Sequence, residues 1–220
     1  MRSRFGFWAA IAAIVTSVLY GVAQIGQIAG ILHDPWDRIL IFAPSLALAP
    51  SFVVTMAALY AVAPPSHRAL AVSALALAIM YGTFVSTVYV TQLSVVIPHE
   101  IQGDKSTYAL FACCGQGQFT TGVDLLGYTM MSLSTLLAAF IFAPAGPHRW
   151  TRRWLLANGL LAPFLLGQLA WPALIYVGAL WLITFPVSMI GLARAFSGRD
   201  DAMLEIHSRN LDARVHFNEV

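Results

Sequence analysis

Six times in 220 residues this chain runs through an apolar stretch long enough to cross a lipid bilayer, and that recurrence leaves little choice of fold. The stretches lie near residues 5–32, 39–63, 69–97, 119–144, 154–171 and 173–196. A hydrocarbon core of about 30 Å is crossed by about 20 residues of helix. Inside it every backbone N–H and C=O must pair within the protein, so such stretches are expected to be helices. With 59% apolar and only 10% charged residues, and a mean hydropathy of +0.74, no water-soluble core could hide this much apolar surface. The expected architecture is all-α: a polytopic six-transmembrane-helix bundle over residues 1–196, then a short tail over 197–220, with no room for a soluble domain.

Read as one helix, the last two stretches would be roughly 64 Å long, twice what a bilayer accommodates. A turn around Gln168 to Pro172 is therefore expected. Threading from a cytoplasmic N-terminus puts Arg2, Arg4, Arg68, Arg149, Arg152, Arg153, Arg194, Arg199, Arg209 and Arg214 on one side and leaves only Arg38 and Lys105 on the other. By the positive-inside rule the arginine-rich side is cytoplasmic, so both termini are expected there. Trp8, Trp150 and Trp154 then fall at the inner interface and Trp36 and Trp171 at the outer, where amphipathic rings prefer to sit. Only Trp181 falls at mid-depth. The expected location is the inner membrane of a bacterium. A competing reading takes Arg2, Arg4 and the following apolar run as a secretory signal, but 19 residues from Phe5 to Ala23 exceed the usual h-region of roughly 7–15.

The outer loop from about Pro98 to Gln118 is polar at first and apolar from Tyr108 to Cys114. An extended apolar segment would leave backbone groups unpaired in lipid, so its second half is expected to be an interfacial or re-entrant helix. Cys113 and Cys114 sit there side by side. Disulfide geometry prefers Cα separations above about 4.4 Å while trans neighbours sit at about 3.80 Å, so two small unbridged residues are expected. Redox chemistry through the pair, or a disulfide to another chain, is the alternative. The tail carries Asp200 and Asp201, then Leu204, Leu211 and Val215 at helical spacing, and reads as a cytoplasmic amphipathic helix. Its net acidity argues against nucleic acid as a partner.

Helical spacing assigns faces. Ala9, Ala13, Thr16, Tyr20, Gln24 and Gln27 share one stripe of the first span. Small residues allow close helix approach, and the glutamines must find partners or water rather than lipid. Thr83, Thr87, Thr91 and Ser94 make a similar line on the third span, with Tyr89 and Gln92 nearby. Asp124, Gly127, Tyr128, Met131 and Thr135 share a face of the fourth. Three helices are thus expected to turn polar groups toward the same outward half.

Asp124 is the only ionisable residue placed within the hydrocarbon depth, where a carboxylate costs on the order of 2.5–3.5 kcal/mol at a span's centre. Two readings stand side by side: a functional carboxylate, or a cap at the start of the fourth helix with Thr120 and Thr121 nearby. His33, Asp34, Asp37, His99, Glu100 and Asp124 all fall on the outer side, but their spacing matches no metal-ligand pattern. Five of the six histidines fall in loops or tails, which disfavours haem. Nucleophile-elbow, zinc-protease and phosphate-loop motifs are absent, so no cofactor is expected and an enzyme is the less favoured class. Pro44, Pro50, Pro163 and Pro186 interrupt helices.

The run Tyr89-Val90-Thr91-Gln92-Leu93-Ser94-Val95-Val96-Ile97-Pro98, with Asp124-Leu125-Leu126-Gly127-Tyr128 later, resembles bacterial six-helix membrane proteins that have no assigned activity. The six-span layout with Ala9-x-x-x-Ala13 is similar to substrate-binding subunits of energy-coupling-factor vitamin transporters; that resemblance implies packing of the first helix on a partner and ligand binding near the outside. From the residues themselves the expectation is an outward-opening polar pocket formed by Tyr20, Gln24, Gln27, Tyr89, Gln92, Asp124, Tyr128 and Gln168. It would bind or move a small molecule, with Asp124 supplying charge for a cationic group or a proton. The alternatives are an accessory subunit that holds a membrane-protein partner by helix packing and, more weakly, an enzyme acting on a lipid or quinone through His99, Glu100 and Asp124.

Overall fold

The computed structural model describes residues 2–104, 106 and 108–198. The tail beyond Gly198, Lys105 and the arginines at 199, 209 and 214 lie outside the described residues, and with them the amphipathic-tail expectation. The described chain is helical, with no strand among its residues. Five stretches are long and apolar enough to cross a membrane, and their length and composition are those of a multi-pass membrane protein.

Helix α1 (Arg4–Ile28) starts on Ser3, whose Oγ accepts from the Gly6 amide at 3.0 Å. Helix α2 (Trp36–Val62) follows a short turn and contains Pro44 and Pro50. Helix α3 (Arg68–Thr91) passes through a π turn (Gln92–Val96) straight into α4 (Ile97–Ile101). The third span is therefore longer than its apolar pattern indicates. Pro98 was expected to open a loop, because it has no N–H and its ring crowds the carbonyl of residue 94 in a regular helix. The π turn, in which the Ile97 amide reaches back to the Gln92 carbonyl, comes just before that proline and lets the helix continue through it.

Helix α5 (Phe119–Ala139) is the fourth span. The helix expected over 154–171 is not continuous and is not among the five stretches long and apolar enough to cross a membrane, the fifth of which is Pro172–Ser197. The expected helix starts earlier, as α6 (Arg149–Gly159), breaks at Leu160 and Leu161, and resumes as α7 (Ala162–Gly167). Pro163 in the first turn of α7 has no N–H to carry a ladder across the break. The expected turn near Gln168 to Pro172 is present and leads through a 3-10 turn (Pro172–Leu174) and α8 (Ile175–Gly178) into α9 (Trp181–Ser197). Gly198, at φ +66°, ends α9 in the left-handed conformation that glycine adopts without penalty.

The helices close into a ring in which α1 packs on α2, α2 on α3, α3 on α5, α5 on α6 and α7, α6 on α9, and α9 back on α1. Where α9 meets α1 the Ser3 amide donates to the Phe196 carbonyl at 3.1 Å, so both ends of the described chain lie at one end of the bundle. Arg2, Arg4, Arg68, Arg149, Arg152, Arg153 and Arg194 gather at that end, where Arg194 lies over the Trp150 ring at 5.8 Å. Arg38 is at the opposite end, ion-paired to both Asp34 and Glu100, and so ties α2 to α4. Trp8 (66% exposed) and Trp36 (63%) sit on the outside toward opposite ends, whereas Trp181 (4%) is in the core.

Candidate functional site

The core is aromatic at mid-depth. Trp181, Phe185, Phe52, Tyr81 and Tyr128, from α9, α2, α3 and α5, form a closed circuit of ring contacts with centroids 5.0–5.7 Å apart. Such edge-to-face and offset contacts are the favoured geometries of aromatic pairs. Tyr20 of α1 adds an edge contact to Trp181 at 5.8 Å. The Trp181 indole N–H donates to Met131 Sδ at 3.2 Å, so the one tryptophan at mid-depth has its polar atom satisfied.

Asp124 stands one helical turn from Tyr128 on α5. The Tyr128 ring in turn touches those of Tyr81 (5.7 Å) and Trp181 (5.0 Å). The Tyr89 and Tyr128 hydroxyls are hydrogen-bonded to each other at 3.0 Å. Two polar atoms in this cluster are buried without a partner: Asp124 Oδ1 and the Tyr81 hydroxyl. Buried polar atoms are paired in the great majority of cases, so each of the two marks a place where water or a ligand is expected. Asp124 is not a helix cap. Helix α5 begins at Phe119 with Gln118 at the cap position, which puts Asp124 in the second turn.

From Tyr20 a line of side chains runs along α1 to the surface. The Tyr20 hydroxyl donates to Gln24 Oε1 (3.3 Å), Gln24 Nε2 to Gln27 Oε1 (3.0 Å), and Gln27 Nε2 to Asp37 Oδ2 (2.9 Å). The α1 stripe legible in the sequence is thus a connected path from the aromatic core to a carboxylate at the end of the bundle opposite the arginines.

Gln92 has a different task. Its Nε2 donates to the Phe111 carbonyl at 2.7 Å and its Oε1 accepts from the Cys113 amide at 3.0 Å. Thr120 donates to the Ala112 carbonyl, Thr121 to the Gly115 carbonyl at 2.7 Å, and Gln118 accepts from the Gly115 amide at 2.7 Å. The segment expected to be a re-entrant helix is instead a 3-10 turn (Ala109–Phe111) followed by bends. Side chains at the ends of α3 and α5 supply the backbone partners that a helix would have supplied. Cys113 and Cys114 are joined to each other as a disulfide across a cis peptide bond, contrary to the unbridged expectation; the trans separation invoked against bridging does not apply to them. This segment roofs the ends of α3 and α5 one turn beyond Tyr89 and Asp124.

Of the eight residues expected in one pocket, Tyr20, Tyr89, Tyr128 and Asp124 come together. Gln24 and Gln27 lead away from them, Gln92 holds the roof, and Gln168 packs against Gly178, where a Cβ would lie 2.6 Å from its Nε2. The threonine line of α3 is a correction. Thr83, Thr87 and Ser94 are exposed and point out of the bundle, each hydroxyl bonded to the carbonyl four residues earlier at 2.6–2.9 Å. A hydroxyl satisfied by its own helix has little need of the interior. The inward face of α3 is Tyr81, Val85, Val88, Tyr89 and Gln92. Tyr81 and Trp181 belong to the cluster and were not among the expected residues. Their signals were the 81-85-88-92 spacing and the one tryptophan away from either interface.

Glu100 pairs with Arg38, and the His99 ring bonds the Val95 carbonyl at 2.8 Å and faces Tyr108 at 4.0 Å; neither is in the Asp124 cluster. Among the described residues no group of three or more His, Cys, Asp or Glu is placed to hold a metal ion. Ala9 and Ala13, the small pair on α1, are buried within the chain's own bundle. Comparison with protein-family models, with curated proteins and with solved structures finds no match to this chain.

Proposed function

We propose that this is a protein of the bacterial inner membrane, with both termini cytoplasmic, that binds or moves a small molecule at the Asp124 cluster. The observation that carries it is Asp124 Oδ1, buried without a hydrogen-bond partner one helical turn from Tyr128, whose ring touches that of Tyr81, itself with an unpartnered buried hydroxyl. A carboxylate among apolar helices is retained where something compensates it, and among the described residues no cation is ion-paired to it. The aromatic circuit closes the bundle on one side of Asp124 and the 109–118 segment covers it on another. The hydrogen-bonded line along α1 leads from Tyr20 to the Asp37 end of the bundle. By the positive-inside rule that end is outside.

Native mass spectrometry of the gently solubilised protein, wild type beside Asp124→Asn, tests this. A small molecule retained by the wild type and lost from the variant is the expected result. An empty monomer in both overturns it.

A packing-subunit role has its own support, because Gln24, Gln27, Gln92 and Asn158 all direct their hydrogen bonds within the chain, as polar glue between helices does. A protein partner co-purifying with both forms, with no small molecule in either, decides for that role.

A further inference from the structure

We propose that the cleft between the first turns of α1 and the last turn of α9 binds the phosphodiester headgroup of an anionic phospholipid. The cleft is at the arginine-rich end of the bundle, away from Asp124, and binding there does not depend on the Asp124 reading. It has a volume of about 320 Å³ and is lined by Arg2, Arg4, Phe7, Trp8 and Phe196 among others. Small-molecule sites span about 300–1,000 Å³. Its floor is fixed by the contact of the two helices. The Ser3 amide donates to the Phe196 carbonyl at 3.1 Å, and a Cβ on Gly6 would lie 3.1 Å from two carbons of the Phe196 ring, so that ring rests on the α1 backbone. Phe7 and Trp8 meet edge to face, with centroids 5.3 Å apart. Arg2 lies along the end of α9, where a Cβ on Gly198 would come within 2.7 Å of its Nε, and Arg4 is the first residue of α1.

The charge of the lining selects an anion. Arg2 and Arg4 are exposed, and the carboxylates among the described residues, Asp34, Asp37, Glu100, Asp104 and Asp124, all belong to the opposite half of the bundle. The planar fork of a guanidinium matches the oxygens of a phosphate. A free phosphate ion would use the arginines and leave the rings of the cleft unused. Trp8 is one turn from Arg4 and 66% exposed, and Phe5, beside Arg4, is 71% exposed, both on a helix apolar enough to cross a membrane. Exposed tryptophan near the end of such a helix sits at headgroup level, which puts Arg2 and Arg4 at the depth of the lipid phosphates. A choline headgroup would bring a second cation to a place with two arginines and no acid to receive it. An anionic phospholipid uses the whole surface: its phosphate lies between the arginines, its glycerol over Phe7 and Phe196, and its acyl chains along Trp8 and Phe5.

The test uses purified full-length protein in detergent and three probes: phosphatidylglycerol, phosphatidylcholine with the same acyl chains, and free glycerol phosphate. Native mass spectrometry reads what is retained by the wild type, Arg2→Gln/Arg4→Gln, Trp8→Ala, and Arg149→Gln/Arg153→Gln as a control elsewhere on the same end. Thermal unfolding checks that each variant is folded. The wild type is expected to retain phosphatidylglycerol over phosphatidylcholine by about tenfold or more, the scale that two arginines near a membrane surface supply. The preference should vanish in Arg2→Gln/Arg4→Gln and persist in the control pair, while Trp8→Ala should weaken retention several-fold. Equal retention of the two lipids, retention of neither, or a preference that survives in Arg2→Gln/Arg4→Gln overturns the proposal. An equal loss in Arg149→Gln/Arg153→Gln also overturns it, because the attraction then belongs to the whole arginine-rich end and not to the cleft. Glycerol phosphate held as well as phosphatidylglycerol would make the ligand a soluble phosphate ester. A preference that emerges only when Asp200, Asp201 and Glu205 are replaced by their amides would give the cleft to the chain's own acidic tail. Either result overturns the lipid.

Discussion

At the scale of single residues, the same side-chain type serves opposite purposes according to where its hydrogen bonds go. Gln92 is fully buried and bridges two backbone groups of the roof, whereas Gln24 and Gln27 line a path to the surface. Replacing Gln92 with Leu leaves the Phe111 carbonyl and the Cys113 amide without partners, at a cost of about 1–3 kcal/mol for each group left unsatisfied. Faster amide exchange at residues 111–115, with the exchange of α1 and α2 unchanged, is the expected outcome; a roof as protected as in the wild type would count against the bridge. The threonines of α3 show the other side of the same chemistry. Polar by residue type, they are indifferent to burial once bonded to their own helix, which is why their regular spacing points outward and Tyr81, Val85 and Val88 point in.

At the scale of elements, the stretch 149–167 is broken in two, and its first half is pressed against α5. A Cβ on Gly159 would lie 2.5 Å from the Leu136 Cβ and 2.7 Å from its Cα, so α6 crosses α5 backbone against backbone. Next to it, Asn158 Nδ2 donates to Thr135 Oγ1 at 3.0 Å and Thr184 donates to Asn158 Oδ1 at 2.9 Å, which knots α6, α5 and α9 together in the interior. Gly159→Val forces α6 off α5 and is expected to destabilise the bundle by at least the roughly 1–3 kcal/mol of an overpacked core. A thermal midpoint in detergent within a degree of the wild type would show that the approach is looser than the geometry describes. The apolar periodicity of residues 154–171 predicts a continuous span and not its break. A glycine and a proline four residues apart are tolerated in many membrane helices, and only the contact with Leu136 shows what Gly159 is for.

At the scale of the whole molecule, packing of α1 on α9 and the Ser3–Phe196 hydrogen bond place the described termini together. The arginines gather at that end. Single cysteines report this directly, since the native pair is disulfide-joined and silent toward maleimides. Ser66→Cys and Ala145→Cys are expected to react only from the cytoplasmic side and Ile31→Cys only from the outside. Labelling of Ile31→Cys from the same side as the other two would refute the threading.

The apolar stretches, their number and the segregation of arginine are properties of the chain alone. Hydrocarbon admits backbone only as helix, and it admits charge only at its edges, so length and composition were enough to determine an all-helical membrane bundle and which residues meet at each end. The inward stripe of α1 and the face of α5 carrying Asp124 were legible too, because helical spacing alone puts those residues on one face. What surrounds Asp124 was decided by tertiary structure. Tyr81, Trp181 and Phe52 lie 29 to 129 residues apart along the chain, and their rings join one circuit only because the helices close into a ring. Spacing orders residues on one helix, whereas the rotation of one helix against the next is set by close approaches such as Gly127 on Val85 and Gly159 on Leu136, and those distances exist only once the helices have packed.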